Sequence, residues 1–340
     1  MRSKFFNKMR LAINGFGRIG RTFLRLALAK GFEIVAINDL AEAKAMAHLF
    51  KYDSVHGVFP GEVIAKPDAL VIGKLAIPVF SIKEAEELPW SALRVDLVID
   101  CTGKNLTVDA ASKHIMAGAK QVLISAPAAD DIPMVVLGVN DDQIDLNSEI
   151  LSNASCTTNN IAPMIKILND NWGVEEGYIT TIHSMTGDQN LHDANHKDLR
   201  RARAASSSII PTTTGAAKAI THIFPELDGR LGGAGIRVPV LNGSLTDFTC
   251  LLKNRTTIAE INAAFKNAAA NELKGIIEYT EDPIVSVDII DNPHSCIFDS
   301  LLTSIVCDMV KVVGWYDNEF GYSSRLIDIV EKIAVRREAN

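Results

Sequence analysis

Leu11-Ala12-Ile13-Asn14-Gly15-Phe16-Gly17-Arg18-Ile19-Gly20 decides how the first half of this chain folds. Leu11 to Asn14 reads as a short buried strand, and the apolar spacing over 19–30 predicts a helix directly after it. Between them the glycines repeat as G-x-G-x-x-G, the spacing that binds a dinucleotide when a strand precedes and a helix follows. Gly15 makes the tight turn, Gly17 lets a pyrophosphate approach the backbone, and Gly20 lets helix and strand pack closely. The phosphates rest on the unpaired N–H groups of the helix start. A second β run, 33–37, ends at Asn38-Asp39, about twenty positions past the glycines. Asp39 is placed to hold the adenosine ribose hydroxyls, and its charge repels a 2′-phosphate, so NAD is expected over NADP. An ordinary glycine-rich turn is the alternative. Strand, helix and acid together weigh against it.

The α/β rhythm continues through helix 43–50, a hairpin over 71–77 turning at Gly73-Lys74, strand 95–100, helix 108–117 and strand 121–124. The loops after two of these strands carry Thr102-Gly103 and Ser125, where cofactor-binding residues of a doubly wound sheet belong. A structural turn explains either residue equally well when taken singly. Cys101 follows a buried strand and is expected to be inert.

In the second half, Ser152-Asn153-Ala154-Ser155-Cys156-Thr157-Thr158-Asn159 passes abruptly into an apolar, helix-spaced run. Ser155, Thr157 or Thr158 can cap that helix, with Cys156 at or just before its first turn. Free N–H groups and the helix dipole there favour a thiolate nucleophile. A buried, inert cysteine beside a cap is the alternative. Strand 177–182 delivers His183 at its end, a good place for a base, although spacing does not exclude His192, His196 or His222. From 187 to 211 the chain shows little periodicity and carries Lys197, Arg200, Arg201 and Arg203. So long a connection marks a functional loop or a subunit contact. Thr212-Thr213-Thr214-Gly215 then enters a helix and offers hydroxyls and N–H groups as a small-anion cradle. Arg237 interrupts an apolar strand and needs a carboxylate or a phosphate as partner. Strands at 245–252, 284–288 and 310–315, helix 258–270 and a last helix 322–337 complete the reading.

With 340 residues, 47% hydrophobic and 22% charged, the chain is long enough for two domains with sizeable cores. A net charge of −7 argues against a general nucleic-acid binder. Five scattered cysteines show no CxxC pair and no metal-ligand rhythm with the histidines, so no metal is expected and a reducing, cytoplasmic setting is. The basic start, including Phe5 and Phe6, reads as a short extension without the apolar core of a signal peptide. No apolar run approaches the ~20 residues of a membrane span.

Five segments resemble the phosphorylating glyceraldehyde-3-phosphate dehydrogenase family. They are the glycine loop, the Cys156 segment, His196-Lys197-Asp198-Leu199-Arg200-Arg201-Ala202-Arg203, Pro211-Thr212-Thr213-Thr214-Gly215, and Trp315-Tyr316-Asp317-Asn318-Glu319. The resemblance implies an α/β fold with a Rossmann-type doubly wound NAD-binding domain and an α+β catalytic domain with a mixed or antiparallel sheet. The first would span 1–155 and be completed by a C-terminal helix at 319–340; the second would span 156–318. It implies Cys156 as nucleophile and His183 as its base. It assigns the substrate phosphate to Thr186 and Arg237. Inorganic phosphate falls to Ser155, Thr157, Thr214 and Gly215, with Arg201 near both anions. Arg18, Ile19, Asp39, Lys83, Thr102, Ser125 and Asn318 would face NAD. The family is usually a homotetramer, its long loop packing between subunits. The implied reaction converts glyceraldehyde 3-phosphate and inorganic phosphate to 1,3-bisphosphoglycerate through a thiohemiacetal and a thioester.

The chain departs from the family pattern in places. Asn160 stands where a second cysteine is common, Phe320 replaces a Trp, and Lys83 replaces a frequent Arg. Asn195 replaces the Pro usual in NAD-preferring relatives, so NAD preference is expected with NADP as a secondary possibility. The nearest alternative is an erythrose-4-phosphate dehydrogenase that releases its acyl group to water; the threonine cradle favours phosphate as acceptor. A non-catalytic role, with the basic loop on RNA or a partner, is set against an intact catalytic constellation.

Overall fold

Arg10–Asn14 lies at the middle of an eight-stranded sheet, and its three central residues, Leu11, Ala12 and Ile13, are apolar and fully buried. Strands buried on both faces in this way belong to parallel sheets covered by helices. The structure, a computed structural model, describes residues 9–129 and 131–339; the extension with Phe5 and Phe6 lies outside the described residues. Two compact units emerge. The first holds residues up to Val135, Asp141–Ala154 and those from Ser323 on; the second holds Val136–Asn140 and Ser155–Tyr322.

In the first unit the strand order is Ile150–Ser152, Val122–Ile124, Leu97–Asp100, Arg10–Asn14, Glu33–Asn38, Leu75–Phe80, Ala69–Ile72 and Val63–Lys66. The strands from Ile150–Ser152 through Leu75–Phe80 pair in parallel, and the last two join them as antiparallel hairpin strands. From Arg10–Asn14 the chain winds first to one side, through Glu33–Asn38, and later to the other, through Leu97–Asp100. That reversal makes the crevice beyond Asn14 and Asp100 a topological switch point, where open α/β sheets bind ligands. The helix Arg18–Lys30 ends at Gly31, whose left-handed φ of 79° only glycine adopts without strain. The expected hairpin turns at Gly73, φ 56°.

The second unit is built on a mixed sheet ordered Ile210–Thr212, Leu231–Val238, Val174–Ser184, Ser244–Leu252, Met309–Tyr316, Cys296–Asp299 and Ile277–Thr280, with Ser304–Val306 pairing beside Met309–Tyr316. The helix Cys156–Trp172 packs on it, with Ile161, Ala162, Met164, Ile165 and Leu168 fully buried. The helix Ile258–Ala270 starts at a Thr257/Glu260 capping box and stacks Phe265 on Phe298, ring centroids 3.7 Å apart.

The strand expected at 284–288 is instead a turn. Its β-branched alternation reads as a strand, but the Asp288 carboxylate accepts the Val285 N–H at 2.7 Å and closes the chain on itself. Val285 and Val287 are left 55% and 67% exposed. The strand at this edge of the sheet is Ile277–Thr280, which the sequence reading passed over.

Candidate active site

Glycine spacing becomes geometry in the first unit. A Cβ on Gly15 would lie 2.8 Å from backbone atoms of Cys101 and Thr102, and one on Gly20 would lie 2.2 Å from the Gly15 carbonyl oxygen. At Gly17 a Cβ would meet nothing within 4 Å. The loop is therefore closed toward the sheet and open outward, above a helix whose first turn has no side-chain cap and no acid. These features fit a dinucleotide pyrophosphate held by the amides of Arg18 and Ile19. The Arg18 side chain points elsewhere: its guanidinium grips Asp53 through two hydrogen bonds of 2.7 and 3.0 Å. Asp39 is anchored to the same loop, its carboxylate accepting the Phe16 N–H at 2.6 Å and the Ala41 N–H at 2.9 Å. Lys83 is 81% exposed and 3.8 Å from Glu84.

Thr102 is held by a buried polar network that the sequence reading missed. The Asp100 carboxylate accepts from the Thr102 amide and hydroxyl (3.0 and 2.6 Å), from Asn14 (3.0 Å) and from Asn105 (2.7 Å). His114 Nε2 lies 3.1 Å from the same carboxylate, and Trp90 Nε1 donates to His114 Nδ1 at 2.9 Å. That donation leaves the ring proton on Nε2, facing Asp100. The signal was an acid ending a buried strand and a histidine on the inner face of the helix Val108–Met116. The Ser125 amide bonds to the Asp100 carbonyl oxygen at 2.9 Å, so Ser125 too stands at these strand ends.

In the second unit Ser155 is the N-cap of Cys156–Trp172, its Oγ accepting the Thr158 N–H at 3.0 Å. This makes Cys156 the first helical residue, and Ala154, just before the cap, takes a left-handed φ of 51°. Cys156 Sγ lies 3.5 Å from His183 Nε2. His183 comes from Val174–Ser184, paired in register with Arg237 on Leu231–Val238. His183 Nδ1 sits 2.8 Å from the Ser184 carbonyl oxygen and 2.5 Å from Arg237 Nη1. With its proton on Nδ1, donated to Ser184, the ring offers its Nε2 lone pair to the thiol. With Arg237 donating to Nδ1, the proton sits on Nε2 and faces the sulfur.

Tyr316, which the sequence reading did not single out, braces this pair. Its hydroxyl lies 2.9 Å from both Thr157 Oγ1 and Thr181 Oγ1, and its ring meets His183 edge-on with centroids 5.9 Å apart.

Burial pushes the His183 imidazole down to about 3, and the Arg237 charge adds to the effect, so the ring is neutral at neutral pH. Burial pushes the Cys156 thiol up, while the Arg237 charge and Thr157 pull it back. The thiolate-favouring helix start expected from sequence is thus opposed by desolvation. Cys101 and Cys250 are each pushed up to about 12 by burial, and Cys296 is also raised, with no cation among the causes.

Of the expected anion-binding groups, Arg237 contacts the imidazole directly and acts on the thiol through its charge. Arg201 and Thr186 are brought together by Asp188, which accepts the Thr186 hydroxyl and pairs with Arg201 Nη1 at 2.6 Å. Thr214 Oγ1 accepts the Ala216 N–H at 3.2 Å, leaving its own proton for a ligand, and Gly215 is the exposed N-cap of Ala216–Ile223. Asn318 Oδ1 accepts from Ser184 Oγ (2.9 Å) and Ser244 Oγ (2.8 Å), which fixes the amide and turns Nδ2 away from the serines. Asn160 donates to the carbonyls of Ser295 (3.3 Å) and Trp315 (3.2 Å), a structural use. In the basic loop, Arg203 pairs with Asp193 at 2.9 Å, so acids of the same loop answer much of its charge.

The family model for the glyceraldehyde 3-phosphate dehydrogenase NAD-binding domain matches residues 9–108, and that for the C-terminal domain matches 155–318. A glyceraldehyde-3-phosphate dehydrogenase of Mycobacterium tuberculosis is 51% identical over 330 residues, covering 95% of this chain and 97% of the relative. Glyceraldehyde-3-phosphate dehydrogenase 2 of Streptomyces avermitilis is 51% identical over 325 residues, 94% and 97% of the two chains. The Mycobacterium leprae enzyme is 48% identical over 330 residues, 95% and 97%. A glycine loop closed against its sheet, a thiol beside a neutral imidazole and these matches agree: the chain belongs to the glyceraldehyde-3-phosphate dehydrogenase family.

Proposed function

We propose that this chain oxidises D-glyceraldehyde 3-phosphate with NAD and inorganic phosphate to 1,3-bisphosphoglycerate, Cys156 acting as nucleophile and His183 as base. NAD-dependent oxidation of an aldehyde follows from the family. The residue roles rest on one observation above all: Cys156 Sγ lies 3.5 Å from His183 Nε2, at a helix start, beside the Arg237 cation.

Cys156 adds to the aldehyde carbon, and the thiol proton, relayed through His183 Nε2, ends on the new hydroxyl. Bound NAD supplies the hydride acceptor. His183 takes the hydroxyl proton as the C–H hydride departs, leaving a thioester on Cys156. Phosphate then attacks the thioester carbon and Cys156 leaves as thiolate. A thioester suits the task because it keeps the acyl group reactive enough for phosphate to capture.

Gly15, Gly17, Arg18 and Ile19 would hold the pyrophosphate through backbone, and Asp39 the ribose. Lys83, Thr102 and Ser125 would line the remaining cofactor surface, with Asn318 orienting the nicotinamide amide through Nδ2. Thr186 and Arg237 would receive the substrate phosphate; Ser155, Thr157, Thr214 and Gly215 the inorganic phosphate, with Arg201 serving both. Since the Thr157 hydroxyl already bonds to Tyr316, its contribution rests on the backbone N–H or on a shared hydroxyl.

A homotetramer with the long loop at a subunit contact belongs to the same reading; Leu199 and Ile209 in that loop are 81% and 71% exposed. A cytoplasmic setting is part of the same reading; no described helix is long and apolar enough to cross a membrane.

The test is an NADH-formation assay with glyceraldehyde 3-phosphate and erythrose 4-phosphate side by side, with and without phosphate. Phosphate-dependent turnover of the triose is expected. Phosphate-independent oxidation of the tetrose in preference would overturn the substrate and acceptor assignments.

A further inference from the structure

Asp188 is an acid placed among groups meant for anions. Its carboxylate accepts the Thr186 hydroxyl and pairs with Arg201 Nη1 at 2.6 Å, so two of the groups assigned to phosphate are answered from within the chain. Neither group needs Asp188 for its position. Arg201 is separately held by Nε donating to Thr212 Oγ1 at 2.9 Å, and Thr212 in turn donates to Asp198 at 3.3 Å. The Thr186 backbone is closed into a turn by Gln189, whose amide donates to the Thr186 carbonyl at 3.0 Å and whose Oε1 accepts the Thr186 N–H at 3.2 Å. Asp188 sits at the tip of that turn with its side chain 47% exposed. Turning outward therefore delivers the carboxylate to water, where a lone charge is cheap. Beside it Gly187 has open space where a side chain would lie.

We infer that Asp188 is a displaceable internal anion: it occupies Thr186 and Arg201 until the substrate's phosphate exchanges for it, and it returns to weaken the site's hold on the product. A site that must bind a phosphate and then release a molecule with two needs its cations answered in the empty state. A carboxylate of single charge, competing for the same donors, caps the affinity that two arginines and a hydroxyl would otherwise reach. The inference rests on the reading of Thr186 and Arg201 as anion ligands.

The test uses the full chain and inorganic sulfate as probe, reading the sulfate concentration that gives half the maximal rise in melting temperature. Asp188→Asn removes the charge and keeps one acceptor oxygen, enough for Thr186 or Arg201 but not for both, since the two donate to different carboxylate oxygens. It should bind sulfate about three- to tenfold more tightly, the scale of one nearby charge, and should lower the KM for glyceraldehyde 3-phosphate in the same sense. Asp188→Glu, which keeps the charge, should stay close to the parent. If Asp188→Asn leaves sulfate binding unchanged or weaker while Arg201→Ala weakens it, the displaceable anion is wrong and the anion site stands. If Arg201→Ala leaves sulfate binding untouched, the anion assignment itself fails and takes the inference with it.

Discussion

Arg237 Nη1 stands 2.5 Å from Nδ1 of His183, across two parallel strands that pair these residues in register. A guanidinium so close to an imidazole opposes its protonation, and it adds to burial in holding the ring's pKa near 3. Under the proposed assignment, a substrate phosphate drawing on Arg237 would offset that charge and strengthen the base when it is needed. Arg237→Gln removes the cation and should raise the imidazole's titration midpoint by about one pH unit or more, still below the ordinary value because burial remains. An NMR titration of the His183 ring in the folded protein measures it. No movement would mean burial alone sets the value.

Cysteine reactivity separates the thiols by their neighbours. Cys101, Cys250 and Cys296 are raised by burial with no cation opposing it, whereas Cys156 has Arg237 and a helix start. Iodoacetamide should label Cys156 and the exposed Cys307 first, with loss of activity tracking Cys156 alone. Peptide mass spectrometry against residual activity checks this, and Cys307→Ser should leave the inactivation curve where it was. Early labelling of Cys250 or Cys296 would contradict the burial argument.

Much of this was legible because the signals are local. The glycine loop needs only strand, turn and helix in sequence, and the Ser155 cap needs only the polar-to-apolar break before 156. The Asp100–His114–Trp90 network was not legible, since its members come from a strand, a helix and a loop that meet only after folding. Tyr316 was missed for the same reason: its hydroxyl joins Thr157 and Thr181 from distant elements. At 284–288 the periodicity was present but an Asp288 side chain closed a turn, which alternation alone does not reveal. The sequence called for a partner to Arg237 and suggested a carboxylate or phosphate; the folded chain supplies the His183 ring and the Ser184 carbonyl.

In the proposed function, cofactor choice turns on Asp39. Its carboxylate is fixed by the Phe16 and Ala41 amides, so the negative charge stays at the end of Glu33–Asn38, where an adenosine 2′-phosphate would belong. Asp39→Asn removes the charge and keeps an acceptor for one of those two amides, which bond to different carboxylate oxygens. The ratio of kcat/KM for NAD to that for NADP should fall by about tenfold or more. Initial rates with both cofactors decide it; an unchanged ratio would move the discrimination elsewhere, with Asn195 next to be tested.

Arg18 carries its charge to Asp53, and this pair should appear in the acid limb of stability. Burial raises the Asp53 carboxyl, but the Arg18 hydrogen bonds and the His56 and Val55 amides outweigh it and hold the group at about 2, below its ordinary 3.8. A carboxyl lowered on folding contributes stability that is complete above its unfolded value and disappears as pH falls through the folded one. The window is therefore about pH 4 down to 2. The Asp53 side chain is 4% exposed and that of Arg18 31%, so the contribution, discounted for screening at the arginine, is roughly 1–2 kcal/mol. Asp53→Asn should be less stable than the parent by that amount at neutral pH, and the gap should close as pH approaches 2. Denaturant unfolding of both proteins across this range measures the gap. A gap that stays constant with pH would show that the variant disturbs packing rather than removing a titrating ion pair.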